Sequence, residues 1–408
     1  MHATRGVGHP DGLATPGRPG EHAGILALPL ATVKDAAQTV GVGERLDELS
    51  APRRELALAH PSGKLLCVAC AHRCKLADGA RGVCLVRTRR GDALTVPWGY
   101  TAGVAVDPIE KKPFFHFLPG ARALSFGMLG CDLHCGYCQN WFTSQTLRDP
   151  DASRRTETVT PKQLVAVAVE QRCHVMTSTY NEPLITAEWA HDVFALAREA
   201  GLRTTFVSNG HATPEVLDYL APVLDGCKVD LKAYSPATYR ALGGKLESVL
   251  ETIAGLLERG IWTEVVTLIV PGLNDSDDEL AAIAAFLAGL STDLPWHVTA
   301  FHPDYRMTDP PATPAATLVR AAELGRQAGL RFVYAGNLPG RLGELEDTRC
   351  PSCGATLLRR LGFTVLARRL GHEGRCPGCG TAIAGLWSLS GPAHAPARSA
   401  APAVAPGA

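Results

Sequence analysis

The sequence predicts an α/β fold with parallel strands, carried between two cysteine-rich modules. Three observations predict it. From Ala123 to about Asn337, short apolar runs alternate with longer amphipathic ones. Several amphipathic runs open on capping or first-turn signals, Thr160-Pro161 and Thr213-Pro214 among them. All of the 13 cysteines except Cys173 and Cys227 fall into three close-spaced groups, one before, one at the start of and one after that alternating region.

Taken in order, residues 1–23 are rich in Gly, Pro and His with no apolar period, and are expected to be disordered. The run Gly24 to Ala31 has some signal-peptide character, but it starts late, follows Glu21 and is broken by Pro29, so a secretory reading is set aside. Residues 24–120 form an N-terminal region with four cysteines. The core, 121–340, has candidate strands at Ala123–Met128, His174–Thr179, Arg203–Ser208, Cys227–Lys232, Glu264–Val270, His297–Phe301 and Arg331–Tyr334. Candidate helices lie at about 161–172, 185–200, 214–223, 246–259, 277–289 and 314–328. A small module at 345–390 and an Ala/Pro-rich tail at 391–408, also expected to be disordered, complete the chain. The strand–helix alternation fits an open doubly wound sheet or a full or partial barrel. In either, residues just after the strands line one rim. Those positions hold Gly130-Cys131, Tyr180 to Pro183, Asn209-Gly210, Lys232, Pro271-Gly272 and His302-Pro303.

Bulk properties exclude several classes. The 40 basic and 40 acidic side chains cancel, so no global field favours nucleic acid or an anionic membrane, and there is no apolar run long enough to span a bilayer. Close-spaced thiols in a chain neither short nor secreted point to metal or iron–sulfur ligation and a cytoplasmic location rather than to disulfides. Cys173 and Cys227, standing alone, are expected to be inert core residues.

The most informative stretch is Gly130-Cys-Asp-Leu-His-Cys-Gly-Tyr-Cys-Gln-Asn-Trp141, directly after the first core strand. Cys131, Cys135 and Cys138 have the spacing C-x3-C-x2-C. Three thiolates on a tight loop can bind three irons of a [4Fe–4S] cubane and leave the fourth open, where S-adenosylmethionine (SAM) could chelate. An electron carrier would supply a fourth Cys, and the lack of one nearby also speaks against zinc. Tyr137 falls in the loop that covers the cluster.

With these residues, Asp107 to Gly120, Thr179-Tyr-Asn-Glu-Pro183, Val229-Asp-Leu-Lys232, Leu268 to Asp275, Phe301-His-Pro303 and Val333 to Asn337, the sequence resembles the radical SAM superfamily. Within it the chain is similar to the radical SAM enzymes of the AmmeMemoRadiSam system, relatives of the pyruvate formate-lyase activating enzymes. The resemblance covers roughly residues 60–390 and implies a partial (β/α)6 barrel with cluster and SAM at the strand C-termini. It implies that Glu182 takes the methionine amine, although Tyr180-Asn181-Glu182 departs from the superfamily's usual Gly-Gly-Glu. It further implies that Ser208 and Asn209 meet the ribose or methionyl part, that Asp230 and Lys232 match the activases' Asp-Leu-Lys, whose lysine pairs with the SAM carboxylate, and that His302 lies near the ribose. The implied chemistry is one-electron reductive cleavage of SAM to methionine and a 5′-deoxyadenosyl radical that takes hydrogen from a substrate. It requires a one-electron donor of the flavodoxin or ferredoxin type and implies AMMECR-type and Memo-type partner proteins.

The flanking clusters read differently. Cys67, Cys70, Cys74 and Cys84, with His72 as a substitute ligand, suit either zinc or a second iron–sulfur cluster. Cys350, Cys353, Cys376 and Cys379 form two C-P-x-C-G knuckles, a zinc-ribbon pattern with an iron–sulfur cluster as the alternative. Arg359, Arg360, Arg368 and Arg369 between them are read as a solvated face rather than an RNA-binding one. Competing functions are a glycyl radical enzyme activase and, outside catalysis, an iron–sulfur and zinc-ribbon binding module. A SAM methyltransferase is set aside because such enzymes do not need C-x3-C-x2-C.

Overall fold

A computed structural model describes residues 46–390 apart from Ser153 and His372. The expected disorder of 1–23 and of 391–408 and the signal-like run at 24–31 lie outside the described residues. The dominant feature is one eight-stranded sheet. Its strands are β1 (Gly103–Pro108), β2 (Arg122–Gly127), β3 (Val175–Ser178), β4 (Arg203–Ser208), β5 (Gly226–Asp230), β6 (Trp262–Ile269), β7 (Trp296–Ala300) and β8 (Val333–Gly336). From β2 to β8 every neighbouring pair is parallel and follows chain order. Helices α1 (Pro161–Glu170), α2 (Ala187–Glu199), α3 (Pro214–Leu220), α4 (Pro236–Ala241), α5 (Leu246–Glu258), α6 (Asp277–Leu290) and α7 (Ala315–Gln327) connect them.

Sequential order decides between the alternatives that the pattern leaves open. A doubly wound sheet reverses its winding at a switch point, and none is present here. Right-handed crossovers in one direction put all the helices on one face, and the twisted sheet then curls around the other. The sheet ends at β1 and β8 without pairing them, so the barrel is partial. The strands are covered on both faces, as the wholly buried Val175–Ser178 and Trp296–Ala300 show.

The capping chemistry read from the sequence is in place. Thr160 and Gln163 form a reciprocal capping box with Pro161 in the first turn of α1, and the Thr213 hydroxyl accepts from Val216 N–H at the start of α3. Among the strands of the large sheet and the helices that connect them, two lie where the sequence pattern had none. β1 comes from within the segment ascribed to the N-terminal region and pairs antiparallel with β2. α4 follows β5 because Ser235 caps it and Pro236 opens it. The chain accordingly leaves the sheet at Asp230, and Leu231 and Lys232 lie beyond the strand.

The N-terminal residues form two small antiparallel sheets that share the main apolar core with the barrel helices. The C-terminal module is a three-stranded sheet including β9 (Thr356–Leu361) and β10 (Thr364–Arg368). It packs at the N-terminal ends of β6 to β8. There Glu264 accepts the backbone N–H groups of Phe115 and His116 (2.9 and 2.8 Å) and the His297 ring (2.7 Å). His116 Nδ1 lies 2.7 Å from the Ala384 carbonyl, which can only accept, so Nε2 takes the Tyr334 hydroxyl proton at 2.6 Å. Arg360 departs from the solvated face expected of the four arginines. It is buried, donates to the Phe115 carbonyl and the Thr348 hydroxyl (both 2.8 Å) and lies over the Phe115 ring, while Arg359, Arg368 and Arg369 are exposed. The hairpin's bulge between Arg359 and Arg360 turns it inward, which a composition-based reading has no means of seeing.

Candidate metal and cofactor site

The loop after β2 is fixed from several sides. Gly130 has φ +94°, and a Cβ there would come within 2.8 Å of Val86, so only glycine fits. Its N–H donates to the Thr143 carbonyl at 2.9 Å, tying the start of the loop to the short helix Trp141–Ser144 that ends it. The His134 N–H reaches the Leu242 carbonyl at 3.0 Å, and the Gly136 carbonyl takes the Arg306 N–H at 3.0 Å. Between these ties Cys131, Cys135 and Cys138 sit in one apolar cluster with Leu133, Tyr137, Leu242, Val270 and Phe301. The thiols make no disulfide. The Leu133 N–H points at Cys131 Sγ (3.4 Å), and the Ser144 hydroxyl lies 3.1 Å from Cys138 Sγ. Donors aimed at sulfur in an apolar, water-poor loop are what thiolate ligands of an iron–sulfur cluster require.

Cys135, Tyr137 and Cys138 open onto a cavity of about 460 Å³, a size suited to a cofactor-sized ligand. Asp230 and Lys232 also line it, with Lys228, Lys111, Lys112, Asp107, Arg154 and Tyr180. Asp230 contacts both Lys228 and Lys232. Burial works against its charge, but the two ammonium groups overcome this and hold its carboxyl down to about 2. Across the cavity Asp107 is shared by Lys111 (2.8 Å) and the buried Lys112 (3.1 Å), whose ammonium also lies 3.2 Å from the Tyr180 hydroxyl. Tyr180 has φ +72°, so a residue with a side chain occupies the left-handed conformation that glycine adopts most readily.

The other predicted residues are placed differently. Glu182 is buried, and its carboxylate accepts from Ser208 Oγ (2.7 Å), Asn209 N–H (2.7 Å) and Leu184 N–H (3.1 Å). Burial, then the neighbouring Asp132, pushes its pKa up to about 8. Ser208 and Asn209 are buried with it, and Asn209 Nδ2 also donates to Asp132 at 2.7 Å. His302 is exposed, its Nε2 3.0 Å from the Gln139 amide, itself a cavity residue. Sequence reasoning missed the centre of this network, Asp132 and His211, both fully buried and 2.9 Å apart. The only signal was an acidic residue between the first two cysteines.

The two flanking cysteine groups differ in shape. Cys350, Cys353, Cys376 and Cys379 converge with all four sulfurs within 4.8 Å, at 3.5 Å for Cys350–Cys379 and 3.7 Å for Cys353–Cys376. Gly354 and Gly380, at φ +72° and +76°, close two matching knuckles. Zinc–sulfur bonds of about 2.3 Å put tetrahedral sulfurs roughly 3.8 Å apart, so the set fits a single metal ion. Cys67, Cys70 and Cys84 are buried and Cys74 half-buried, but these four do not converge in that way. Cys173 and Cys227 are buried and unpaired, as expected of core thiols.

The chain is similar to several known proteins. The profile of the radical SAM superfamily matches residues 127–287, from the end of β2 through most of α6. An uncharacterized protein of Methanocaldococcus jannaschii is 39% identical over 323 residues, 78% of this chain and 95% of its own length. The pyruvate formate-lyase 1-activating enzyme of Escherichia coli K12 is 27% identical over 199 residues, 45% of this chain and 77% of its own. Among solved structures, a domain of a pyruvate-formate lyase-activating enzyme from Bacteroides vulgatus covers 40% of this chain and 98% of its own, at 18% identity and a TM-score of 0.34. With its three-cysteine loop directly after β2, the first of the parallel strands of a sequentially wound α/β sheet, the chain belongs to the radical SAM superfamily.

Proposed function

We propose that Cys131, Cys135 and Cys138 hold a [4Fe–4S] cluster with one iron left to SAM, and that the protein abstracts hydrogen from a small or protein-borne substrate in the cavity beside them. The observation that carries this reading is that Cys135 and Cys138 share one 460 Å³ cavity with Asp230, Lys232 and the cationic wall opposite. Cluster and SAM together supply one-electron reductive cleavage to methionine and a 5′-deoxyadenosyl radical. The chain's own residues bind, orient and shield. Lys232, its charge balanced by Asp230, meets the SAM carboxylate, and Tyr137 with Leu133 and Phe301 keeps water from the thiolates. Glu182 acts as a positioning residue, bracing Ser208 and Asn209 behind the loop. Five cations, Lys111, Lys112, Arg154, Lys228 and Lys232, face two acids, Asp107 and Asp230, so the hydrogen donor carries an anionic group. Zinc occupies the C-terminal ribbon, a flavodoxin or ferredoxin-type protein supplies the electron, and the AmmeMemoRadiSam likeness puts AMMECR-type and Memo-type proteins among the partners.

A second reading, activation of a glycyl radical enzyme, draws on the likeness to the E. coli activating enzyme and on Phe142 and Phe363. Both are exposed large apolar residues in the cavity wall, where a protein partner could seat. The test is anaerobic reconstitution, dithionite reduction with SAM and assay for 5′-deoxyadenosine. Product from the wild type and none from Cys138→Ala supports radical chemistry; equal product from both overturns the ligand assignment. A stable glycyl radical signal raised in a partner enzyme would select the second reading.

A further inference from the structure

We propose that Cys67, Cys70, Cys74 and Cys84 bind a second, fully ligated [4Fe–4S] cluster that passes electrons to the site at Cys131, Cys135 and Cys138. The relay role rests on the function proposed above; the cluster itself does not.

The argument starts from sulfur geometry. In the C-terminal ribbon four thiols touch in pairs at 3.5 and 3.7 Å, the spacing of ligands that share one ion. Neither the N-terminal four nor the central three converge on one point within 4.8 Å. On a cubane each cysteine binds a different iron, so its sulfurs stand at the corners of a larger figure than the sulfurs around one zinc. The N-terminal sulfurs are near one another without meeting at one point, as the corners of such a figure are: a Cβ on Gly82 would lie 3.5 Å from Cys74 Sγ and 3.7 Å from Cys84 Sγ. All four are free thiols; Cys67, Cys70 and Cys84 are buried, Cys67 and Cys84 within the main apolar core, and no disulfide joins them. One competing grouping is close, Cys70 with Asp132 and His211 inside 4.8 Å. Both ring nitrogens of that histidine are engaged, however. Nδ1 bonds Asp132 at 2.9 Å and Nε2 accepts the Lys245 N–H at 3.2 Å, so it has no lone pair to offer an ion.

That grouping instead reports how near the two cysteine loops are. Cys70 Sγ reaches the carboxylate of Asp132, the residue next to Cys131. His72 Nε2 donates to the Asp132 carbonyl at 3.1 Å. The Arg148 guanidinium clamps the Cys131 carbonyl (2.8 Å) to the Val83 carbonyl (2.7 Å), one residue before Cys84. A Cβ on Gly130 would lie 3.4 Å from the Cys84 carbonyl. On the outer side Cys74 is half-buried and Val83 exposed, giving a donor protein access. A reduced low-potential protein donor loses one electron, the N-terminal cluster gains it and hands it inward, and no bond or proton changes place.

The test uses the full chain carrying Cys131→Ala, Cys135→Ala and Cys138→Ala together, which leaves the N-terminal module untouched. After anaerobic reconstitution with iron and sulfide, this variant should keep about four iron and four sulfide per chain and show a reduced-cluster EPR signal. Adding Cys70→Ser should remove them, and adding Cys376→Ser should not. A triple variant without iron, whether the module then carries zinc or nothing, overturns the proposal. For the relay, the reduced wild type should show faster spin relaxation than the triple variant, because two nearby paramagnets couple. Equal relaxation rates with both clusters present would sink the relay and leave the cluster. Failure of SAM cleavage in a wild type that holds both clusters would count against the proposed function alone.

Discussion

Asp230 illustrates how single residues are held in this site. It faces Lys228 and Lys232, and Lys228 is buried. Replacing it by Asn leaves a buried ammonium without its counter-charge, a loss on the order of 3 kcal/mol. Urea unfolding of Asp230→Asn should therefore shift to lower midpoint with unchanged slope, and SAM affinity should fall with it. Gly130 makes a steric rather than an electrostatic demand. An alanine there meets Val86 at 2.8 Å in a left-handed backbone, which costs on the order of 2–3 kcal/mol and tilts the cysteine loop. Iron bound per chain after reconstitution of Gly130→Ala should drop, and retention of full iron would show that the loop adapts. The cysteines were legible from spacing alone, because ligand chemistry is local. Asp132 and His211 were not. They lie 79 positions apart in sequence, and only the fold brings them together.

At the scale of elements, the buried pair Arg87–Glu188 links the N-terminal module to α2, with both side chains 1% exposed. Arg87 donates to both carboxylate oxygens (2.7 and 2.6 Å) and to the Ile185 carbonyl at 3.1 Å. Arg87→Met alone should cost about 3–5 kcal/mol, because it strands a carboxylate in the core. The double variant Arg87→Met/Glu188→Leu should recover most of that. A double-mutant cycle read by chemical denaturation checks it, and an additive result would mean that the pair does not act as one. The strands and helices of the core were legible to within a few residues, since strand and helix periods and capping residues are written locally. β1 and α4 were not. An edge strand with Pro108 at its end and a helix of six residues carry too little periodicity to stand out.

For the whole molecule, the C-terminal module is bound to the barrel through His116, which burial brings down to about 4 and keeps neutral between Ala384 and Tyr334. The folded pKa lies below the ordinary histidine value, so the unfolded chain binds the proton more readily. The stability that His116 contributes is complete above about pH 6.5 and is lost as pH falls toward 4. Thermal unfolding followed from pH 7 to pH 4 should show this loss, and His116→Gln should flatten it. A wild type whose stability does not fall over that range would refute the linkage. Stripping metal from the ribbon with a chelator should loosen the same contact, since Cys350 and Cys376 share an apolar cluster with Phe115, Tyr334 and Trp387.

The sequence by itself determined the α/β class, the order of the parallel strands' segments, the three cysteine groups and the superfamily, because spacing, periodicity and capping act over a few residues. The strand–helix pattern left a doubly wound sheet and a barrel open; the resemblance implied a partial barrel, and the sequential winding of the sheet bears that out. Tertiary structure alone decided that Glu182 turns inward with Ser208 and Asn209 while Asp230 and Lys232 face the cavity, and that Arg360 is buried. It alone set the N-terminal thiols against the loop of Cys131. Each of these depends on which distant surfaces meet when apolar faces are buried, and no local pattern encodes that.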